Sequence, residues 1–545
     1  MANVKFSRKI FEKEVGKLTE SMQEKIALFG TPVESLDDEI LELEIFPNRP
    51  DLLSYSGFRR SFLAFLGKKV GFKNVPLHRP EKEFEVYVDS SVKDVRPFTI
   101  CAIVKKLKLD DEKIKEIIEI QEKLHSTIGR QRKKLAIGIY PLEKISLPIT
   151  YKAMEPDKIK FQPLDSPREM SGLEILQRHP TGKEYASLLA GKVKFPVFVD
   201  KDDNVLSMPP IINSEKTGRV TTKTHSVFIE CSGFDVLALE KCMKILVATF
   251  SEMGGKIFQM KVKDGVTPEM KPEKMKISIK KAEKLLGIEL NEKQMKVLLE
   301  KMGYNYKDGE VEIPPWRADI LHEVDLIEDI AIAYGYENFD FLVPEIATTG
   351  KENSDEILKR KISKILVGLG LLEVSNYHLT KKDDQFAKMG FGEKEEKGFV
   401  EISGSKTDYN IMRKDLSHYV LKIVSENSDS EYPQKFFEVG KVFGLDDDGI
   451  SEEERLSVAF TPGNFTDVGQ ILEFLFSNLG LEIKIKEPEN AFMPFVVGRV
   501  GEIFLDDDKI GFVGEVHPNV LKNWKIKMPV SLFEIQLKKV FEKFK

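Results

Sequence analysis

With 545 residues, of which 32% are charged and 41% apolar, the chain is too long for one ordinary domain, and roughly three to five are expected. Its net charge of −6 argues against a protein that grips nucleic acid on a basic surface of its own, and three irregularly spaced cysteines exclude a disulfide framework or a zinc site. No window is apolar enough to span a bilayer and the first residues form no secretion signal, so we expect a cytoplasmic protein with no membrane partner.

Residues 1–85 are predicted to form an N-terminal α+β domain. Residues 5–18 have the spacing of an amphipathic helix, and residues 39–46 alternate between polar and apolar types, as a half-buried strand does. The prolines and asparagine of residues 47–54 predict a structural turn that leads into a second helix.

Residues 86–265 are predicted to form a mixed α/β domain. Ser207 lies on one predicted strand and Glu230 and Ser232 lie on another, and these strands flank the Pro-Pro-Ile-Ile-Asn segment at 209–213. Side chains two apart on a strand point to the same face, so Glu230 and Ser232 share a face of the sheet. This pattern alone favours plain strand-end hydroxyls beside a solvent-facing carboxylate over one polar pocket.

Residues 270–345 are predicted to contain two short helices, a hairpin and a third helix. The hairpin turns at an Asp-Gly pair at residues 308–309, a dipeptide suited to tight turns. Helix, helix, hairpin is the order of a winged-helix-like module. That shape alone does not decide a function.

The most informative stretch is Pro-Pro-Trp-Arg-Ala-Asp-Ile-Leu-His-Glu-Val-Asp-Leu-Ile-Glu-Asp-Ile-Ala-Ile-Ala-Tyr-Gly-Tyr at 314–336. Asp319 precedes the predicted helix, and Asp325, Glu328 and Asp329 are neighbours on one helical face. Carboxylates crowded in this way repel one another unless a cation lies among them, and Mg²⁺ takes oxygen ligands. The spacing therefore indicates either a Mg²⁺ site or a solvated acidic face near a helix N-terminus.

Residues 350–545 are predicted to form a final α/β domain with antiparallel strands. Phe-Phe-Glu-Val-Gly-Lys-Val-Phe at 436–443 reads as one strand, and Gly-Glu-Val-His-Pro follows at 514–518. The chain contains neither the Gly-rich phosphate-binding loop of P-loop nucleotidases nor the nucleophile elbow of serine hydrolases.

The stretch at 314–336 closely resembles the signature of phenylalanyl-tRNA synthetase β subunits of the archaeal or eukaryotic-cytosolic type. The Asn-Arg-Pro-Asp-Leu-Leu string at 48–53 and the strings at 436–443 and 514–518 resemble the same family in the same order. The resemblance implies that the last domain is a class II synthetase-like antiparallel sheet. It lacks the arginine expected just before 436–440 and a Gly-rich arginine motif near 529–536, so it is catalytically degenerate.

The resemblance also implies a function and partners. The chain would be the β subunit of a heterotetramer of two α and two β chains, which attaches L-phenylalanine to tRNA(Phe) using ATP, with the charging site on the α subunit. The carboxylates of Asp319, Asp325, Glu328 and Asp329 would bind Mg²⁺. The second domain would hydrolyse mischarged tyrosyl-tRNA.

A site for phenylalanine rejects tyrosine, which carries one added hydroxyl, by only about 10²-fold. A second pocket can instead require that hydroxyl. By resemblance, Ser207, Glu230 and Ser232 line this editing pocket, with Asn213 and His225 as weaker rim candidates.

Two alternatives predict different behaviour. A non-catalytic nucleic-acid-binding protein would use the winged-helix-like module, although residues 292–302 mix Glu and Lys and offer no arginine for base contacts. A freestanding aminoacyl-tRNA hydrolase would deacylate without any partner, and would leave the synthetase-like domain without a use.

Overall fold

The structure is a computed structural model that describes residues 2–346, 348–489 and 493–545. The chain forms two compact units, Met1–Val343 and Pro344–Lys545. Both units contain helices and strands, and the strands form several separate sheets. The predicted mixed α/β architecture is therefore confirmed. The division into four domains stays a prediction. Among the described residues, no helix is long and apolar enough to cross a membrane.

The first unit opens with a three-stranded antiparallel sheet in the order Ala2–Ser7, Ile40–Ile45, Val33–Leu36. The helix predicted over residues 5–18 is therefore wrong at both ends, because residues 5–7 belong to the first strand and the helix runs only over Arg8–Glu14. Every second residue of the first strand is buried, and this alternation favours an edge strand over a helix. Two further helices cover Glu20–Leu28 and Tyr55–Phe65.

An 11-stranded sheet forms the largest layer of the first unit. Along its main path the strands are Ile212–Asn213, Val205–Met208, Phe195–Val199, Ile149–Met154, Glu85–Val88, Lys256–Val262, Phe98–Lys105, Val227–Gly233 and Leu135–Pro141. Leu77–His78 and Gly265–Thr267 pair with Lys256–Val262. The associated helices are Asp111–Ser126, Gly172–Arg178, Pro180–Tyr185, Glu215–Gly218 and Val236–Glu252.

This sheet curls, so that strands distant in its hydrogen-bonding order meet. Val205–Met208 and Leu135–Pro141 lie near opposite ends of that order, yet Tyr140 Oη lies 2.7 Å from Ser207 Oγ. Val227–Gly233 pairs with Leu135–Pro141 in a register that sets Glu230 opposite Gly138. The curl therefore gathers side chains from three strands at one place.

The predicted order of helix, helix, hairpin is present in the last part of this unit. The helices are Ile279–Leu286, Glu292–Lys301 and Glu323–Tyr334. The strands Glu273–Lys276, Asn305–Lys307 and Glu310–Ile313 form one antiparallel sheet. Asp308 and Gly309 both have positive φ, at 51° and 79°, which suits the tight hairpin turn expected there. The strand at Glu273–Lys276 was not predicted.

The second unit is built on a seven-stranded sheet. Its strands, in order, are Leu372–Glu373, Gln434–Asp446, Gly449–Thr461, Ser531–Gln536, Asp508–Val516, Phe495–Leu505 and Ile483–Lys486. All neighbours except the first pair are antiparallel. The main helices are Ser354–Gly368, Ser417–Glu426, Phe465–Leu479, Pro518–Asn523 and Lys538–Glu542.

Candidate functional site

A cavity of about 390 Å³ lies in the first unit, where the large sheet curls. Its walls come from helix Asp111–Ser126, from the three strands that meet there and from the segment around helix Pro180–Tyr185. The polar lining residues are Gln121, Glu122, His125, Arg132, Asp165, His179, Thr181, Glu184, Tyr185, Ser207, Asn213 and Glu230. Two of the three predicted pocket residues, Ser207 and Glu230, thus line one cavity.

Glu230 is the buried carboxyl of this cavity, with 1% of its surface exposed. Burial raises its pKa to about 8, against smaller opposing effects of the Arg96 charge and of hydrogen bonds from Tyr140 and Ser232. The carboxyl is therefore mainly protonated at neutral pH. Its Oε2 atom is buried and has no hydrogen-bond partner.

Tyr140 joins the two predicted residues. Its hydroxyl lies 2.7 Å from Ser207 Oγ and 3.3 Å from Glu230 Oε1. A phenol has one proton, so Tyr140 donates to one of these two oxygens at a time. Gly138 makes room for this arrangement, because a Cβ there would collide with the Tyr140 hydroxyl and with Glu230 Oε1.

Ser232 lies next to the cavity without lining it. Its hydroxyl accepts a hydrogen bond from Arg96 Nε at 3.2 Å, and its carbonyl accepts one from Arg96 Nη2 at 2.6 Å. Of the two weaker rim candidates, Asn213 lines the cavity and His225 is not among the lining residues. His225 Nδ1 instead faces the carbonyl oxygen of Leu107 at 3.4 Å.

Arg132 was not anticipated from the sequence. It ends a run of three consecutive residues with positive φ, Arg130, Gln131 and Arg132, a conformation that non-glycine residues adopt rarely and that concentrates at functional sites. Its Nη1 donates to the Ile211 carbonyl at 2.9 Å, and its Nη2 donates to Glu122 Oε1 at 3.0 Å. Its Nε is buried without a partner.

Three buried side-chain atoms around this one cavity therefore lack hydrogen-bond partners: Glu230 Oε2, Arg132 Nε and His179 Nδ1. An unpaired buried polar group costs about 1–3 kcal/mol, and native proteins keep such groups rare. A polar ligand bound in this cavity would supply the missing hydrogen-bond partners. Tyr140 had a signal in the sequence, since it lies two residues after Gly138 on the same strand face, whereas nothing in the sequence marks Arg132 or His179.

The four carboxylates predicted to bind a metal lie in another part of the first unit. Arg317 bridges two of them, because its Nε and Nη2 donate to Asp319 at 2.9 Å and 2.7 Å and its Nη2 also donates to Asp329 Oδ2 at 2.8 Å. The buried Tyr304 hydroxyl donates to the same oxygen of Asp329. Asp319 and Asp329 are therefore already partly neutralised.

Asp325 and Glu328 stand outside this ion pairing on helix Glu323–Tyr334. Asp325 Oδ2 accepts two backbone N–H bonds, both 2.8 Å long, at the start of the helix. The pKa of Glu328 is raised, first by partial burial and then by the negative charges of Asp329, Asp325 and Asp319. No group of three or more His, Cys, Asp or Glu among the described residues is arranged to hold a metal ion. The oxygen donors and the crowded negative charge at Glu328 nevertheless suit a hard divalent cation.

In the second unit, the buried Arg413 and the half-buried Arg455 form ion pairs with glutamates. Arg413 Nη1 donates to Glu438 Oε1 at 2.5 Å, and both side chains are 2% exposed. Arg455 pairs with Glu453 and, at 3.0 Å, with Glu534. Both arginines are thus engaged in ion pairs within this unit.

Comparison with known proteins places these observations in a family. Residues 275–336 match a family model described as the tRNA synthetase B5 domain, and residues 342–537 match one described as the phenylalanyl tRNA synthetase beta chain CLM domain. A phenylalanine–tRNA ligase beta subunit from Thermococcus sibiricus is 40% identical over 509 residues, which cover 91% of this chain and 90% of the relative. One from Archaeoglobus fulgidus is 37% identical over 544 residues, which cover 97% of each chain.

A solved structure is also similar. The N-terminal fragment of the phenylalanyl-tRNA synthetase beta subunit from Pyrococcus horikoshii has 36% sequence identity and a TM-score of 0.58. The match covers 61% of this chain and 99% of the fragment.

Proposed function

The chain belongs to the family of phenylalanine–tRNA ligase β subunits, and from that premise we propose the parts it plays in its aminoacyl-tRNA synthetase complex. With an α subunit that carries the charging site, it attaches L-phenylalanine to tRNA(Phe) using ATP in the cytoplasm. The complex contains two α and two β chains. This chain itself hydrolyses tyrosine that has been attached to tRNA(Phe) in error.

The cavity in the first unit is the proposed editing site, and its unpartnered buried atoms are the observation that carries the proposal. Glu230 Oε1 accepts a hydrogen bond from the Tyr140 hydroxyl, and Glu230 Oε2 is a buried oxygen without a partner. The phenolic hydroxyl of a tyrosyl group donates to Oε2, whereas a phenylalanyl group leaves that oxygen unpaired. A site built around a substrate hydroxyl rejects the analogue that lacks it far more strongly than an apolar pocket can.

Hydrolysis at this site needs no covalent enzyme intermediate. A water oxygen bonds to the ester carbonyl carbon, the bond from that carbon to the ribose oxygen breaks, and the water's proton ends on the ribose oxygen. Arg132 Nε, the unpartnered donor of the cavity, suits the carbonyl oxygen on which negative charge develops. Ser207 holds the Tyr140 hydroxyl and thereby the orientation of Glu230.

Deacylation of purified tyrosyl- and phenylalanyl-tRNA(Phe) by the α/β complex tests this proposal. We expect hydrolysis of the tyrosyl ester only. Glu230→Leu should lose most of that activity, whereas Glu230→Gln should keep more of it, because the amide fills the same space and still offers an oxygen. Equal activity of Glu230→Leu and the wild type would contradict the proposal.

Asp319, Asp325, Glu328 and Asp329 are the proposed Mg²⁺ site. Bound there, the ion would supply positive charge that stabilises the crowded carboxylates. Calorimetric titration of the chain with MgCl₂ and its thermal unfolding with and without the ion test this. Glu328→Gln should weaken binding and remove the stabilisation, and Glu337→Gln, at an exposed glutamate beyond the helix, should change neither. Unaltered binding by Glu328→Gln would refute this ligand.

The surface beside this acidic site is the proposed contact with the α subunit. The large apolar side chains of Leu321, Val324 and Tyr336 are exposed around it, and exposed apolar clusters mark interaction surfaces. After co-expression, light scattering and aminoacylation should reveal a complex that charges tRNA only with both chains present. Leu321→Glu should weaken assembly and the equally apolar, exposed Leu237→Glu should not. A chain that ignores α altogether would refute the assembly.

The finer descriptions of the domains belong to the same proposal. We assign residues 270–345 to a winged-helix-like module and residues 350–545 to a class II synthetase-like sheet without catalytic motifs. The order of elements supports the first, and the antiparallel sheet with its ion-paired arginines supports the second.

A further inference from the structure

His179 has an unusual arrangement of its ring at the edge of the cavity in the first unit. It precedes helix Pro180–Tyr185, lines the cavity and is 7% exposed. Its Nε2 lies 3.1 Å from the carbonyl oxygen of Leu164. A carbonyl only accepts, so Nε2 carries a proton, and Nδ1 of the neutral ring is an acceptor. That acceptor is buried and has no partner.

Two other histidines show what such a ring does ordinarily. His517 also precedes a helix that begins with proline, Pro518–Asn523, and its Nδ1 caps the helix by accepting a backbone N–H at 3.1 Å. His125, the other histidine of the cavity, uses both nitrogens, since Nδ1 faces Glu122 at 3.4 Å and Nε2 accepts a backbone N–H at 2.8 Å. His179 makes no capping bond. Its free acceptor is therefore a feature of this cavity and not of histidine at a helix start.

The charges of the cavity indicate which donor this acceptor meets. Arg132 is paired with Glu122 and Arg219 is paired with Asp165, which leaves the solvent-exposed carboxylate of Glu184 without a cationic partner in the lining. The lining is thus net negative and favours a cationic donor. An aminoacyl ester carries one such donor close to the scissile bond, its α-ammonium group.

We propose that His179 positions the aminoacyl ester in this cavity by accepting a hydrogen bond at Nδ1 from the α-ammonium group. The assignment rests on the proposed editing function and adds a second recognition point to it. Glu230 reads the phenol at one end of the tyrosyl group, and His179 holds the amino acid backbone at the other. His179 is a positioning residue, and it takes no proton from the reacting atoms.

The test compares two esters of tRNA(Phe) with the α/β complex. One carries tyrosine and the other carries 3-(4-hydroxyphenyl)propanoate, which keeps the phenol and lacks the amino group. The wild type should hydrolyse the tyrosyl ester with a kcat/KM at least about 10-fold higher, the worth of a hydrogen bond to a charged group. His179→Phe fills the space of the ring without any acceptor, so it should abolish this preference by slowing the tyrosyl ester alone.

Two further variants separate the outcomes. His179→Gln keeps a donor for Leu164 and an amide oxygen as an acceptor, so it should retain part of the preference that His179→Phe loses. His517→Gln, at the capping histidine of the second unit, should leave both rates unchanged. A His179→Phe variant that keeps the wild-type preference or slows both esters equally, or a wild type that hydrolyses both esters at the same rate, would overturn the assignment while leaving the editing function standing. A wild type that hydrolyses neither ester would overturn both.

Discussion

Replacing Glu230 by glutamine should change the pH dependence of stability in a defined direction. In the unfolded chain this carboxyl has a pKa near 4.5, and in the folded protein burial raises the pKa to about 8. Between these values the folded protein holds a proton that the unfolded chain has released, so the free energy of unfolding falls by about 1.4 kcal/mol per pH unit. The stability contribution is complete below pH 4.5 and is lost as the pH rises through 8, a total of about 5 kcal/mol.

Glutamine mimics the protonated carboxyl and cannot ionise. The wild type should therefore lose about 3 kcal/mol relative to Glu230→Gln between pH 5.5 and pH 7.5. Urea unfolding at these pH values measures the difference, with hydrogen-exchange mass spectrometry of strand Val227–Gly233 to isolate the first unit. Glu20→Gln, at an exposed glutamate, is the control and should run parallel to the wild type. Parallel curves for Glu230→Gln and the wild type would refute a buried, protonated Glu230.

Four further changes probe packing and buried charge through denaturant unfolding. Gly138→Ala should destabilise the first unit by about 1–3 kcal/mol, because its Cβ would collide with the Tyr140 hydroxyl and the Glu230 carboxyl. Gly469→Ala should stabilise the second unit by about 0.5–1 kcal/mol, because this glycine is helical and an added Cβ would meet no atom within 4 Å outside its own helix. Tyr304→Phe should cost about 1–3 kcal/mol, since it removes a donor from a buried carboxylate. Glu438→Ala should cost about 3–5 kcal/mol, because it leaves the buried charge of Arg413 unpaired.

Each of these expectations can fail independently. Equal effects of the two glycine substitutions would contradict the crowded cavity floor. Unchanged stability of Tyr304→Phe would mean that its hydroxyl does not satisfy the aspartate. If Glu438→Ala unfolds at the same denaturant concentration as the wild type, the ion pair between Glu438 and Arg413 is exposed to solvent and not buried.

Short-range patterns predicted much of the candidate sites. The spacing of Asp325, Glu328 and Asp329 placed them on one helix, and the helix Glu323–Tyr334 carries them as expected. Alternation along a strand placed Glu230 and Ser232 on one face. These predictions succeed because helix and strand periodicity is a property of the local backbone.

Predictions that depended on distant neighbours were incomplete. The bridge from Arg317 to Asp319 and Asp329 occupies carboxylates that spacing alone would leave to a metal. The Ser232 hydroxyl accepts a hydrogen bond from Arg96, 136 residues earlier, and it does not line the cavity as predicted. The helix expected from residue 5 gave way to a strand, because pairing with Ile40–Ile45 and burial of one face outweigh a short amphipathic pattern.

The amino-acid sequence by itself determined the family, most of the regular elements and the local grouping of carboxylates, all of which follow from motif order and backbone periodicity. Only the tertiary structure decided that Tyr140, Ser207 and Glu230 meet, that Glu230 keeps its proton, and that His179 and Arg132 leave polar atoms unpaired beside it. The reason is physical: protonation and hydrogen-bond satisfaction depend on which groups exclude water from an atom. In this chain those groups come from strands and loops far apart in the sequence, and they meet only when the sheet curls.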